Sequence, residues 1–185
     1  MVEVELGGRQ ALRVLHPRPV VIVLAKSGEG RINGCAASWV TPVNMDPPIV
    51  AVSLAYERLT YEYVRESGEA TLNVLPAEEI NAVHYVGTVS GRDVPDKLRR
   101  AGFILAPSRK VSTPHIDGAA AYIEAVLKDE VKYPDHALLT FEAVRVVADS
   151  RYFRTVFKES TPILLHVGSD TYVVEYKYRK ASVPK

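Results

Sequence analysis

Residues 19–27, PVVIVLAKS, run without interruption into Gly28-Glu29-Gly30 and then into 31–40, RINGCAASWV. The first run carries β-branched residues on both alternations, the pattern of a strand buried on both faces. The two glycines tolerate the positive φ of a tight turn. The small residues that follow read as a second strand. A hairpin of this kind commits its neighbourhood to antiparallel sheet. It also disposes of the superficial likeness to a dinucleotide loop. That loop needs a third glycine and a following helix, whereas position 33 is Asn33 and a strand follows.

The remaining punctuation extends the same architecture. Residues 41–48, TPVNMDPP, contain Pro42, Pro47 and Pro48 and predict a loop. A strand is expected over 49–55 and a short helix over 60–67, with Gly68 as its C-terminal stop. A strand over 69–75, one or two helical turns over 76–86 and a polar turn over 90–93 come next. A short helix is expected over 94–101, capped by Asp93 and started by Pro95. Two long strands, 119–132 and 137–149, precede a last hairpin over 163–168 and 171–176. About seven strands with two or three short, irregularly placed helices fit a mainly β fold, a β-barrel, better than parallel βαβ units. No repeat or low-complexity linker divides the 185 residues. A single domain over 1–185, with its core at about 16–175, is the expectation.

Charge and cysteine content narrow the function. The net charge of +1, from 23 basic and 22 acidic residues, argues against a surface built for nucleic acid or an anionic membrane. It leaves room for one small anionic ligand. The lone Cys35 forms no internal disulfide and reads as a small buried hydrophobe. The N-terminus lacks a signal-peptide pattern, and the longest apolar stretch, 20–25, is too short to span a bilayer. A cytoplasmic location is therefore expected. The five histidines form no H-x-x-x-H or H-E-x-x-H pair, so no metal site is expected. No G-x-S-x-G elbow occurs. The absence of an acid, base or nucleophile constellation is what a chain shows when a cofactor carries the chemistry.

One polar string stands out within otherwise core-like sequence: Asn33, Ser38, Thr41, Ser53, Arg58 and Thr60. They fall on adjacent strand ends and the next helix start. A helix N-terminus offers unpaired N–H groups, and an arginine beside it can fork onto phosphate oxygens. A capping threonine beside a solvated arginine accounts for the same positions. Ser90-Gly91-Arg92-Asp93 with Lys97 is a second place of this kind. There Lys97 would swing a flexible stem toward a ligand, or simply decorate a capped surface helix.

Taken together the segments are more specific. Arg18-Pro19-Val20, then Asn33-Gly34-x-x-Ala37-Ser38-Trp39-x-x-Pro42, then Asp46-Pro47-Pro48-x-Val50-x-Val52-Ser53 resemble the flavin reductase-like family, which includes the flavoredoxins. The resemblance continues through Arg58-x-Thr60, Gly68-Glu69-x-x-x-Asn73-Val74 and Ser90-Gly91-Arg92-Asp93-x-x-x-Lys97, and covers about 16–175. It implies an antiparallel Greek-key split barrel that binds FMN. The positions matching Ala37, Ser38, Trp39, Val40 and Thr41 would run along the flavin ring and ribityl chain, with Asn33 nearby and Ser53 and Ala55 opposite. Those matching Arg58, Thr60, Ser90, Gly91 and Lys97 would hold the phosphate. Two cations and hydroxyls suit a phosphate dianion, and flat apolar walls suit a tricyclic ring. Trp39 either walls the ring or fills the core.

The resemblance further implies a homodimer with flavin near the subunit boundary. Some members carry Gly-Asp-His in a loop tied to the nicotinamide partner. Here Pro134-Asp135-His136 stands there, and the proline stiffens the loop and removes one N–H. His166 matches a late family histidine, which faces the cavity or bonds a neighbouring strand. The function expected is an oxidoreductase, an NAD(P)H-dependent FMN reductase taking hydride from NADH or NADPH and passing electrons to a monooxygenase or other acceptor. The alternatives are a flavoredoxin-type electron-transfer protein without a nicotinamide site, and a split barrel holding a non-flavin ligand such as heme.

Overall fold

The computed structural model describes residues 3–181; the ends of the expected 1–185 domain lie outside the described residues. The opening hairpin forms as β2 (Val21–Lys26) and β3 (Ile32–Ala37), preceded by β1 (Arg18–Pro19). Gly30, at φ +85°, makes the turn. Every residue of β2 except Lys26 is buried. Val21, Val23 and Ala25 enter one core, while Ile22 and Leu24 on the other face enter a second.

The expected second strand over 31–40 ends early, at Ala37, and the expected 41–48 loop is largely strand. It is β4 (Val40–Met45), paired antiparallel with β5 (Pro48–Ala55). Pro42 is accommodated because β4 is the sheet's edge, where a missing N–H costs no ladder bond, and a register shift follows it. Next come α1 (Leu59–Ser67), closed by Gly68 at φ +67°, β6 (Glu69–Val74), and α2 (Ile80–Thr88). Then α3 covers only Lys97–Arg100. The helix expected from residue 94, capped by Asp93, does not form. Asp96 precedes α3, and its carboxylate pairs with Arg99 and Arg100 instead of capping. Short strands β7 (Leu105–Ala106) and β8 (His115–Ile116) lead to the long pair β9 (Ala121–Lys132) and β10 (His136–Ala148). The last hairpin is β11 (Leu165–Gly168) with β12 (Thr171–Val173). A 3₁₀ helix over Gly8–Leu15 had no counterpart in the sequence reading.

The main sheet has the order β3-β2-β6-β9-β10-β5-β4, all antiparallel. It curls about a core of Val23, Val52, Leu72, Leu139 and Phe141, into which α1 sends Tyr63 and Val64. On its outer face α2, α3 and the 103–119 segment cover Ile22 and Leu24 with Val83, Val86, Leu98 and Phe103. The two cores clamp β2 and β3 between them. This fixes the strand ends at which the polar string lies.

Candidate functional site

Two adjoining cavities open where α1 begins. The first, of about 300 Å³, is lined by Asn33, Arg58, Thr60, Ser90, Gly91 and Lys97, together with Cys35, Glu57, Leu59, Thr88 and Val89. The second, of about 180 Å³, is lined by Ala37, Ser38, Trp39, Ser53, Ala55 and His136, with Ala36 and Leu54. Cys35 and Arg58 line both, so the two meet along a shared wall. One end is polar and cationic; the other is walled by aromatic and small side chains.

The cationic end is built by the chain crossing itself. Asn33 and Thr60 are buried, and Asn33 Nδ2 donates to Thr60 Oγ1 at 2.8 Å. Thr60 is therefore not the helix cap considered from the sequence; Arg58 occupies that position. Gly91 lies so close to Asn33 that a Cβ there would stand 2.1 Å from its Oδ1. Ser90 Oγ accepts from Arg92 N at 3.2 Å, and Arg92 is held by Glu57 O and Glu62.

Neither cation swings in solvent. Lys97 is 2% exposed, and its Nζ donates to Val86 O at 2.9 Å and Val89 O at 2.6 Å. Arg58 Nη1 donates to Gly87 O at 2.9 Å. Both charges thus cap the carbonyl end of α2, where the helix leaves unpaired acceptors and partial negative charge. An ammonium has three donors and a guanidinium five, so neither is exhausted by these carbonyls, and both side chains line the cavity. Burial lowers the Lys97 pKa to about 8, with the Arg58 charge adding to the effect and Cys35 opposing it. Burial also pushes the Cys35 thiol up, against the pull of Thr60, Arg58 and Lys97.

The other end is set by sheet register. Ala55 pairs with His136 and Ser53 with Leu138, while Ser53 N donates to Trp39 O at 2.9 Å. Trp39 is not a core residue. It is 36% exposed and stacks on His136 at 4.9 Å. The His136 ring also contacts Asp135, Nδ1 to Oδ1 at 2.9 Å. His166 stands just outside, with Nδ1 3.2 Å from Ser38 Oγ. Val40 packs against the barrel core and Thr41 is exposed, its hydroxyl on Pro42 O; both lie outside the two cavities. Arg18 was quoted in the sequence pattern but given no role. Its guanidinium lies 5.6 Å from the Trp39 ring centroid. Residues 18 and 39 are joined here only by pairing across the fold, so spacing gave no signal. Among the described residues no group of His, Cys, Asp and Glu could hold a metal, and no helix is long and apolar enough to cross a membrane.

The model of the flavin reductase like domain matches residues 13–171. Uncharacterized proteins of Aeropyrum pernix and Pyrococcus abyssi are 39% and 36% identical over 140 and 129 residues, covering 75% and 70% of this chain. The matches span 53% of the first relative, about half its length, and 73% of the second. The FMN-binding domain of a flavin reductases-like enzyme from Shewanella baltica OS155 superposes with a TM-score of 0.79 at 25% identity, over 93% of each chain. The flavoredoxin of Desulfovibrio vulgaris (Miyazaki F) shares the fold at a TM-score of 0.85 and 22% identity, over 97% of each chain.

Proposed function

The chain belongs to the flavin reductase-like domain family, and from that premise we propose that it binds FMN across the two adjoining cavities and works as an NAD(P)H-dependent FMN reductase. The observation that carries the reading is that a cationic and an aromatic-walled cavity adjoin, sharing Arg58 and Cys35. FMN has the matching asymmetry, a phosphate dianion at one end and a tricyclic ring at the other. Arg58 and Lys97 would neutralise the phosphate, with Thr60, Ser90 and the Gly91 backbone beside them. The tight approach of Gly91 to Asn33 fits a wall shaped from main chain. Ala37 and Ser38 would run along the ring, with Ser53 and Ala55 opposite and Trp39 at its rim; Val40 and Thr41, outside the cavities, would only carry the strand past it.

Bound FMN supplies hydride acceptance; the protein residues bind and orient. The α2 carbonyls hold Arg58 and Lys97 in place before the ligand arrives, so little side-chain ordering remains to oppose binding. His136, on the ring side, would meet the nicotinamide of NADH or NADPH. We place the protein in the cytoplasm as a homodimer, delivering electrons to a monooxygenase or another acceptor.

Fluorescence titration with FMN tests the phosphate end. Arg58→Ala and Lys97→Ala should each lose roughly 1.5–3 kcal/mol of affinity, the worth of one charge-assisted contact. Unchanged affinity in both removes the assignment. Anaerobic titration of the flavin band with each nicotinamide then tests the donor. A flavoredoxin-type protein trading electrons with a protein partner is the second reading. The stacking of His136 on Trp39, behind a loop stiffened by Pro134, favours it, because that pair narrows the ring end. Failure of both nicotinamides to bleach the flavin selects this reading.

A further inference from the structure

Arg18 sits in an unusual electrostatic position. It pairs across β1 and β11 with His166 and lies over Trp39, which lines the ring-side cavity. Its Nη2 donates to His16 Nε2 at 2.6 Å. An imidazole that accepts on Nε2 is neutral and carries its proton on Nδ1; that N–H points to His166 O at 3.0 Å. His166 is tied in turn, with Nε2 3.2 Å from Ser169 O and Nδ1 facing Ser38 Oγ. Tyr172 packs on His166 at 5.2 Å and meets His84 Nδ1 through its hydroxyl at 3.2 Å.

Among the described residues no carboxylate is paired with a cation or imidazole of this cluster, His16, Arg18, His84 or His166. Asp170 acts on Tyr172, and Arg13 adds another cation nearby through Ser169 Oγ. Burial lowers the pKa of both Arg18 and His166; for His166 the Ser169 carbonyl opposes this, while His16, Arg18 and His84 add to it. The Arg18 Nε–H is buried with no acceptor. Desolvating a guanidinium while leaving a donor unmet is costly. A staple that merely joined the chain's two ends would offset this with a carboxylate, as Glu124 does for Arg145 elsewhere.

We propose that Arg18, framed by His16 and His166, is an oxyanion-binding position that selects, among molecules exchanging electrons at the ring-side cavity, those carrying a carboxylate or phosphate. The inference rests on the flavin reading for the identity of the cavity, but the anion site itself does not need flavin. Trp39, stacked on His136 at 4.9 Å, lines the ring-side cavity, and Arg18 lies 5.6 Å from its ring centroid, so an acidic substituent on a molecule at that cavity would meet the guanidinium beside this wall.

The test uses the full chain, flavin-loaded and flavin-stripped, followed by NMR of the histidine ring nitrogens. The probes are benzoate, phenyl phosphate and neutral benzamide. Benzoate or phenyl phosphate should shift the His16 and His166 resonances saturably, and the tighter of the two names the oxyanion class. Benzamide should not. Arg18→Met should weaken the anion by roughly tenfold or more, the loss of a charge-assisted contact. His166→Gln, which keeps the fold's hydrogen-bonding size, should weaken it less. Equal response to benzamide, no response to either anion, or unchanged binding in Arg18→Met overturns the proposal. Loss of FMN binding with anion binding intact would instead strike the flavin reading alone.

Discussion

Lys97 shows how one side chain serves two masters. Its ammonium is fixed by Val86 O and Val89 O in a buried position that lowers its pKa from 10.5 to about 8. Between those values the unfolded chain holds a proton that the folded chain has released, so the flavin-free protein gains stability as pH rises through that window. Phosphate binding has the opposite sign, because the ligand needs the ammonium. FMN affinity should therefore be flat below about pH 8 and fall above it by up to about tenfold per unit. Lys97→Met should bind weakly and without that slope, and fluorescence titration from pH 7 to 9.5 reads both. Gly91 carries a second expectation. Alanine there would drive a Cβ to 2.1 Å from Asn33 Oδ1, and Asn33 is buried against Thr60. Gly91→Ala should cost about 1–3 kcal/mol in chemical denaturation and weaken FMN by displacing Asn33. The residue types at this end were legible in sequence as Arg58-x-Thr60 and Ser90-Gly91 with Lys97. That Arg58 and Lys97 rest on the carbonyls of one helix end was not, since Gly87 and Val86 announce nothing as side chains.

Elements were legible where local signals agreed with tertiary need, as in the β2–β3 hairpin and in α1 with its Gly68 stop. They were misjudged where an edge or an ion pair intervened. Three prolines suggested a loop over 41–48, yet an edge strand tolerates proline, and being an edge is a property of the assembled sheet. The segment from 107 to 116 makes the same point with polar groups. It is strapped to the outer sheet face by side chains: Glu124 accepts from the N–H of Arg109 and Lys110, Glu69 from Ser112, and Asn73 from Ile116. The Glu124 side chain is fully buried and paired with Arg145 at 2.7 Å. Burial alone would raise its pKa, but the Arg109 N–H, Arg145 and the Lys110 N–H together hold it below 4.5. The stability it confers is complete above the unfolded value and lost as pH falls through the depressed one. Glu124→Gln should thus destabilise at pH 7, where the carboxylate is lost from its pair with Arg145, and should flatten the acid limb of stability below pH 4.5. Hydrogen exchange at the Arg109 and Lys110 amides should accelerate in the variant; unchanged protection would mean that the strap is held by packing alone.

At the scale of the whole molecule, the ring-side cavity and the sheet's edge share a boundary. Trp39, at the ring-side rim, runs directly into β4, an edge strand whose outer ladder is unpaired among the described residues. That strand exposes Val43 at 57% and Met45 at 94%. A long edge with apolar side chains is a surface that chains ordinarily blunt with charge or cover with another chain. The aspartate that follows, Asp46, lies beyond the strand and leaves β4 itself uncharged. In the homodimer proposed above, a second copy over this edge would cover it and would bring the partner to the rim that Trp39 and His136 define. The double variant Val43→Lys with Met45→Glu should therefore sediment as a folded monomer, with its circular dichroism unchanged because neither side chain is in a core. Its FMN affinity should fall although no residue at the Arg58–Lys97 end has changed, since the ring end would lose its cover. A monomeric wild-type chain would remove the subunit boundary and leave the ring-side cavity complete within one chain; a variant that dimerises as before would move that boundary away from β4.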